Sequence, residues 1–354
     1  MRRLNRYIGT TVFVASLGSL MILVGLNVIS DMVVSMDDVS DSYPMSSMLL
    51  VILLKTPSMI TEFLPYGIFV GCIIGLGLHA NNNELSVMRA AGVSVHRLLW
   101  AVMRPTLLLI VVGMITSEYI SPVSNQLARS LQEGGDVNQR ALESPFGHWY
   151  RDAERNEFLH FNRVETGGRI FGVSRYRFDE NGKLLIAGFA EQAIYQRPNW
   201  QLENYRQSHF IDDRITLIES QQHTWQTELS PQLLNILVLP PESLSISDVY
   251  QYAVYRDQQN LQSHEYWLWF WQRILQPLTV LTLVLVGMSF IFGSLREATM
   301  GSRIALAVIV GFFIRVNITM LGKVSTVIGF DPLIAVLAPT LICAALGIFL
   351  LARR

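Results

Sequence analysis

Charge is scarce in this chain, and cysteine is scarcer. Asp, Glu, Lys and Arg make up 16% of the 354 residues, against about a quarter in an ordinary soluble domain. The two cysteines, Cys72 and Cys343, both lie in apolar runs. They read as packing residues, and the polar middle of the chain has none, so it cannot be a disulfide scaffold and must rest on its own core. Catalytic signatures are missing too. A phosphate-binding Walker loop needs G-x-x-x-x-G-K-[ST]. The nearest text, "NITMLGKVST", lacks the first glycine and has Val324 where a hydroxyl is needed. G-x-S-x-G and H-E-x-x-H are absent, and the seven histidines show no ligand spacing. "GLGLHA" at 75–80 sits inside an apolar run with no strand before it. These absences weigh against catalysis by this chain alone. It binds, moves or holds something.

What is present is apolar sequence in long stretches. A membrane-spanning helix needs about 20 mostly apolar residues. Six segments qualify: 11–29, 48–78, 96–119, 267–292, 303–321 and 332–351. The first follows Arg2, Arg3 and Arg6. It is longer than a signal-peptide core and no A-x-A site follows, so it reads as a retained span. Residues 120–266 are polar and read as strands. "EFLHFNRV", "RIFGVSRYRF", "LLIAGFAEQAIY", "WQLENYRQSHF", "RITLIES" and "HTWQTEL" are rich in aromatic and β-branched residues, and "DENGK" at 179–183 is a turn signal. Short strands with regular turns predict a sandwich or jelly roll. In "SISDVYQYAVYRDQQ" the period becomes helical, through Ile246, Val249, Tyr250, Ala253 and Val254, with Ser245 or Ser247 able to cap it. "YWLWFW" at 266–271 resembles an interfacial aromatic belt. The expected fold is therefore membrane α-helical, with six transmembrane helices and an inserted all-β, jelly-roll-like domain. The expected divisions are 1–119, 120–266 and 267–354.

Cytoplasmic loops are enriched in Lys and Arg. One set of helix ends carries Arg2, Arg3 and Arg6, then Arg89 and Arg97, Arg296 and Arg303, and Arg353 and Arg354. The first opposite loop carries Asp31, Asp37, Asp38 and Asp41. Both termini are thus expected in the cytoplasm, with the β domain outside. Against this bias, Arg315 lies 12 residues past Arg303, about 18 Å along a helix and so in the outer half of the bilayer. Lys55 and Lys323 also fall towards the outside. A cation at membrane depth marks a substrate path unless it snorkels to the headgroups, and the arginine fork suits a phosphate. Arg315, Lys55 and Lys323, with Phe312 beside Arg315, are the candidate substrate contacts. The second span holds Lys55, Pro57, Glu62 and Pro65, which predicts a bent or partly interfacial stretch over about 47–62. Gly67, Gly71 and Gly75 mark a close helix approach, either to a partner or within the chain's own bundle.

Between the second and third spans lies "HANNNELSVMRAAGVSVHRLL". Three asparagines end one helix. "ELSVMRAAG" makes about two further turns, with Glu84 favoured in the first by the helix dipole and Gly92 as the stop. Leu85, Met88 and Ala91 share a face. An exposed short helix with an apolar ridge is expected to dock in a partner's groove, since a membrane-surface helix is usually more basic.

Here the wording becomes specific. "LNRYIGTTVF", "NNNELSVMRAAGVS", "SPQLLNILVLPPESLSISDVYQY" and "WQRILQPLTVLTLVLVGMSFIFGSLR" resemble the LptF/LptG family, the permease subunits of the lipopolysaccharide-export ABC transporter of Gram-negative bacteria. "ELSVMRAAGVS" and "SFIFG" stand nearer to the LptG side than to LptF. The resemblance covers essentially the whole chain. It implies six spans, a periplasmic jelly roll and an inner-membrane location. It implies a heterodimer with LptF around a lipopolysaccharide cavity, a cytoplasmic LptB ATPase dimer, and LptC with its single helix. The ATP and magnesium belong to LptB, so no cofactor and no nucleic acid is expected on this chain. The short helix near 82–92 then corresponds to a coupling helix. Glu84 matches the acidic coupling residue, and Leu85, Met88, Arg89, Ala90, Ala91 and Gly92 complete the motif. One departure stands out. Some members carry lysines at the outer end of the first span to meet lipid phosphates, whereas this chain reads "SDMVVSMDDVSDSY". Either the phosphate contact has moved to groups such as Arg315, or divalent cations bridge, or the partner supplies the charge; the first is preferred. The rival reading is a non-transporting scaffold or receptor with an external binding domain. A secondary transporter is disfavoured by the lack of inverted repeats and paired broken helices.

Overall fold

The computed structural model describes residues 2–39, 43–134, 148–152, 155–165, 168–179, 181–211, 214–227, 229, 234, 241–258, 262–292 and 299–353. Asp41, Arg296 and Arg354 of the charge pattern, Glu180 of the turn signal and most of "SPQLLNILVLPPES" lie outside these residues. The chain divides into a helical unit, 1–130 with 245–354, and a β unit, 131–244. The sequence divisions at 120 and 266 therefore shift inwards. The segments flanking the sheet are helices, and they group with the membrane helices.

The helical unit begins with α1 (Arg2–Ser35), α2 (Met45–Asn81), the short α3 (Glu84–Ala90) and α4 (Val95–Ile115). A π-helical turn, Thr116–Ile120, then leads into α5 (Ser121–Gly134). After the β unit come α6 (Ile246–Gln258), α7 (His264–Ile274), α8 (Gln276–Phe292), α9 (Met300–Ile328) and α10 (Pro332–Ala352). Among the described residues, five helices are long and apolar enough to cross a membrane, and the bent α7–α8 pair is a sixth when counted as one span.

The fourth span, expected as one helix over 267–292, is broken. The α7 and α8 axes differ by 54°. Pro277 sits in the first turn of α8, where its missing N–H is no loss, but a helix running through from α7 would clash with it. The third span does not stop at 119. Ser121 N–H bonds the Thr116 carbonyl, one residue further back than in an α-helix. This wide turn stands just before Pro122, which has no N–H to give the carbonyl four residues back.

The stretch over 47–62, expected to be bent or partly interfacial, is part of a helix, α2, that runs unbroken through Pro57 and Pro65. Pro65 leaves the Thr61 carbonyl without its helical donor. The Gln276 side-chain amide donates to that oxygen at 2.6 Å, so a residue at the α7–α8 break repairs the defect in α2.

The glycine row of α2 resolves to the chain's own bundle. A Cβ built on Gly71 would lie 2.2 Å from Ser16 Cα, one on Gly67 2.9 Å from Leu20 Cβ, and one on Gly75 2.9 Å from Val12 Cα. These three glycines let α1 lie directly on α2. On its other sides α2 buries Ile68, Phe69, Ile73 and Leu76 in a core shared with Val280, Leu283, Val284 and Met288 of α8. By contrast, α1 exposes Val14, Met21, Ile22 and Leu26, and α9 exposes Ile309, Phe312, Phe313 and Met320.

The β unit is one antiparallel sheet: β1 (His148–Asp152), β2 (Glu157–Phe161), β3 (Arg163–Glu165), β4 (Arg169–Phe178), β5 (Leu184–Gln196), β6 (Asn199–Ile211) and β7 (Arg214–Trp225). The order is β1-β2-β4-β5-β6-β7, with β3 paired to β4. The described strands thus form a meander in which β2 and the three-residue β3 both pair with β4. Its buried face carries Leu159, Ile170, Val173, Ala193, Trp200, Leu202 and Tyr205. Trp200 and Leu202 keep the two-residue period of a half-buried strand, while Ile170 and Val173, and Leu202 and Tyr205, stand three apart across Gly172 and Asn204, whose φ values are +63° and +50°. Within that face Arg175 Nε donates to Glu157 Oε1 at 2.7 Å and Arg175 Nη1 to Tyr205 Oη at 3.2 Å, so the buried charge is paired and hydrogen-bonded. The 179–183 turn closes on Asp179, whose Oδ1 accepts from the N–H groups of Asn181 and Lys183. Gly182 there has φ +80°, which glycine adopts without steric cost.

Candidate functional site

The short helix α3 is held at both ends by local chemistry. Asn83 has φ +59°, a left-handed conformation that asparagine tolerates better than most residues, and it turns the chain sharply after α2. At the other end Gly92 has φ +82°. Gly92 N–H bonds the Arg89 carbonyl and Val93 N–H bonds the Met88 carbonyl, the paired pattern of a Schellman stop.

The packing of α3 corrects the expected docking ridge. Leu85 is 5% exposed and belongs to the bundle core, Met88 packs against that core, and Val93 is buried in it. Leu85 and Met88 anchor α3 to its own chain. The opposite face stands in solvent, with Ser86, Arg89, Ala90, Ala91 and Gly92 exposed and Val87 66% exposed. Of the expected ridge only Ala91 lies on the free side. The periodicity was right, but the shared face belongs to the fold.

Glu84 also faces its own chain. His79 Nδ1–H donates to Glu84 Oε2 at 2.7 Å, and the assignment of the proton to Nδ1 follows because a carboxylate only accepts. The Tyr7 hydroxyl and the Asn82 amide each approach Oε1 at 3.4 Å. The Tyr7 and His79 rings meet edge to face with centroids 4.9 Å apart. The His79 hydrogen bond is the largest influence holding the Glu84 carboxyl below its ordinary range, and desolvation opposes it. Neither Tyr7 nor His79 was singled out in the sequence. The available signal was position, since each sits where a membrane helix meets the loop. Arg303, read in the sequence as one of the topology-setting charges, is buried and donates from Nη1 to the Gly77 carbonyl at 2.7 Å. It ties α9 to the end of α2.

The candidate substrate contacts occupy separate places. Arg315 Nη2 donates to Glu62 Oε1 at 2.6 Å, and its guanidinium carbon lies 4.2 Å from the Phe63 ring centroid and 5.9 Å from that of Tyr66. The oddly placed acid of the second span is therefore the counter-ion of the oddly placed arginine of the fifth. Phe312 points away from the bundle, and Lys323 is exposed five residues before the end of α9. Lys55 is half-buried in the field of Asp31 and Asp38, opposed by Arg129.

A cleft of about 470 Å³ opens between the π-helical turn and α6–α7, lined by Met114, Tyr119, Ile246, Tyr250 and Phe270. Glu118 closes its polar end. Its carboxylate accepts from Ile246 N–H and from the Ser247 hydroxyl, each at 2.8 Å. Ser245 Oγ accepts from Asp248 N–H at 3.1 Å, so α6 is capped twice, once from a distant helix. Glu118→Ala is expected to weaken this helix start by about 1 kcal/mol, read as faster amide exchange at residues 246–249. Unchanged exchange there would mean that Ser245 suffices.

Residues 6–353 match the family described as lipopolysaccharide export system permease LptF/LptG. The chain is 30% identical over 355 residues to the lipopolysaccharide export system permease protein LptG of Escherichia coli strain K12. It is 32% identical over 354 residues to the protein of the same description from Haemophilus influenzae. Both alignments cover 99% of this chain and 98% of the relative.

Proposed function

The chain belongs to the LptF/LptG family of lipopolysaccharide export system permeases, and from that premise we propose that it is the LptG-type subunit of an ATP-driven lipid extractor. It lies in the inner membrane of a Gram-negative cell, with both termini cytoplasmic and the β unit in the periplasm. It pairs with an LptF subunit, works with LptC, and takes lipopolysaccharide from the outer leaflet towards the periplasmic bridge. ATP and magnesium are used by an LptB dimer, and this chain contributes no catalytic group.

The observation that carries this reading is the construction of α3. Its inner face is fixed in the membrane bundle by Leu85, and its outer face, with Val87, Ala90, Ala91 and Gly92, stands free. A rigid, capped helix between two spans suits the transmission of a partner's movement. The exposed apolar faces of α1 and α9 suit acyl chains, at about 0.8 kcal/mol per buried methylene. The decisive experiment reconstitutes the chain with LptF, LptB and LptC in proteoliposomes and measures ATP-dependent release of lipopolysaccharide. Release is expected. An assembly that retains no ATPase and releases no lipid would favour the scaffold reading.

Within this function Arg315 orients the anionic headgroup, with Glu62 as its resting partner, while Phe312 meets acyl chain and Lys55 and Lys323 set the field at the outer surface. Arg315→Gln is expected to reduce lipopolysaccharide photo-crosslinking about tenfold, the value of a charged hydrogen bond of about 1.5 kcal/mol. The ATPase should co-purify as before. Crosslinking at the wild-type level would remove Arg315 from the substrate path.

A further inference from the structure

We infer that the Glu84 carboxylate works inwards, as a joint that Tyr7 and His79 close between the coupling helix and the first two membrane helices. This rests on the transporter reading above and adds two positioning residues to it.

Three helices converge on one carboxylate. Tyr7 comes from α1, His79 from the last turn of α2, and Glu84 opens α3. His79 is 2% exposed, so its 2.7 Å hydrogen bond to Glu84 is shielded from water on the imidazole side. Its Nε2 has no hydrogen-bond partner among the described residues, which leaves Glu84 as the polar anchor of that ring. The Tyr7 ring stands against His79 edge to face, and its hydroxyl reaches the other carboxylate oxygen. Both oxygens are thus engaged by the same chain. An acid meant mainly for a partner's surface would project from the exposed face of α3, where Val87 stands. Glu84 instead links the start of α3 to two spans, so a push on the outer face of α3 is carried into α1 and α2 together. Asn82 supplies a third donor at 3.4 Å from the turn itself and limits sliding of the joint along the loop.

The test uses the full complex with LptF, LptB and LptC. His79→Leu keeps the ring's bulk and removes the donor. His79→Asn returns an amide N–H close to the place of Nδ1, and Tyr7→Phe removes only the hydroxyl. In His79→Leu, amide exchange over residues 84–91 is expected to rise about tenfold, with a smaller rise in Tyr7→Phe and recovery in His79→Asn. Lipid released per ATP hydrolysed should fall in the same order while the ATPase stoichiometry on purification holds. Unchanged exchange in both His79→Leu and Tyr7→Phe overturns the joint whatever the transport result. So does loss of bound ATPase in Glu84→Gln alongside wild-type lipid release in the other two, since the acid would then act outwards. If exchange rises as expected but the wild-type complex neither binds an ATPase nor moves lipid, the joint stands and the transporter reading fails.

Discussion

Gly71→Ala should cripple the assembly of the helical unit, although it adds a single methyl group to a membrane helix. The added carbon would sit 2.2 Å from Ser16 Cα, 2.4 Å from its nitrogen and 2.7 Å from its hydroxyl oxygen. Two of those atoms are backbone, so no side-chain rotation relieves the contact. The helices must part along the whole row that Gly67 and Gly75 continue. Overpacking costs about 3 kcal/mol at the upper end of its usual range, which outweighs the gain of about 1 kcal/mol in helix propensity. Gly18→Ala is the matched control, since a Cβ there meets nothing within 4 Å. The expected result is a large drop in the thermal midpoint of detergent-purified protein for Gly71→Ala and none for Gly18→Ala. Equal midpoints would mean that α1 and α2 do not rely on this contact.

Much of the fold was legible because bilayer length and strand periodicity are strong signals. The apolar runs found their helices, and the polar centre became an antiparallel sheet. Element ends were less legible, for reasons visible at particular residues. Pro277 broke a span that hydropathy alone left whole, because an apolar run does not report where a backbone donor is missing. Pro65 failed to break another because Gln276, 211 positions away in the chain, supplies the lost donor. Long-range repair of that kind cannot be read from a local window. The glycine row was legible as a close approach, but naming the partner needed Ser16 and its neighbours in place.

At the candidate site the limit was direction. Leu85 and Met88 were correctly placed on one apolar face, but a face says nothing about what covers it. In a membrane chain an apolar ridge is as well suited to its own bundle as to a partner, and here Leu85 and Val93 complete the bundle core. The same holds for charge. Arg315 and its counter-ion Glu62 both stood out as charges inside apolar runs, yet only packing could join residues 253 positions apart. Both partners of that pair keep some exposure.

Val87→Asp is therefore expected to remove the ATPase from the purified complex, although Val87 lies off the ridge that the sequence pointed to. Val87 is two-thirds exposed and lies about 160° around the helix from Leu85 at 100° per residue. Ala90 and Ala91 flank it, leaving a small apolar patch against which a groove can close tightly. A carboxylate placed there would be buried unpaired on docking, and losing a central contact typically costs about 2 kcal/mol or more, roughly thirtyfold in affinity. The variant should fold normally, because the side chain is two-thirds exposed and the Gly92 stop remains. Leu85→Asp makes the contrast. It too should lose the ATPase, but with a lowered thermal midpoint, since it buries an unpaired charge in the bundle. The measurement is the ratio of ATPase to permease after affinity purification, alongside the midpoint of each variant. If Val87→Asp keeps the wild-type ratio, the docking face lies elsewhere on the loop, towards His96 and Arg97. The outer side of α3 would then be exposed for some reason other than capture of a motor.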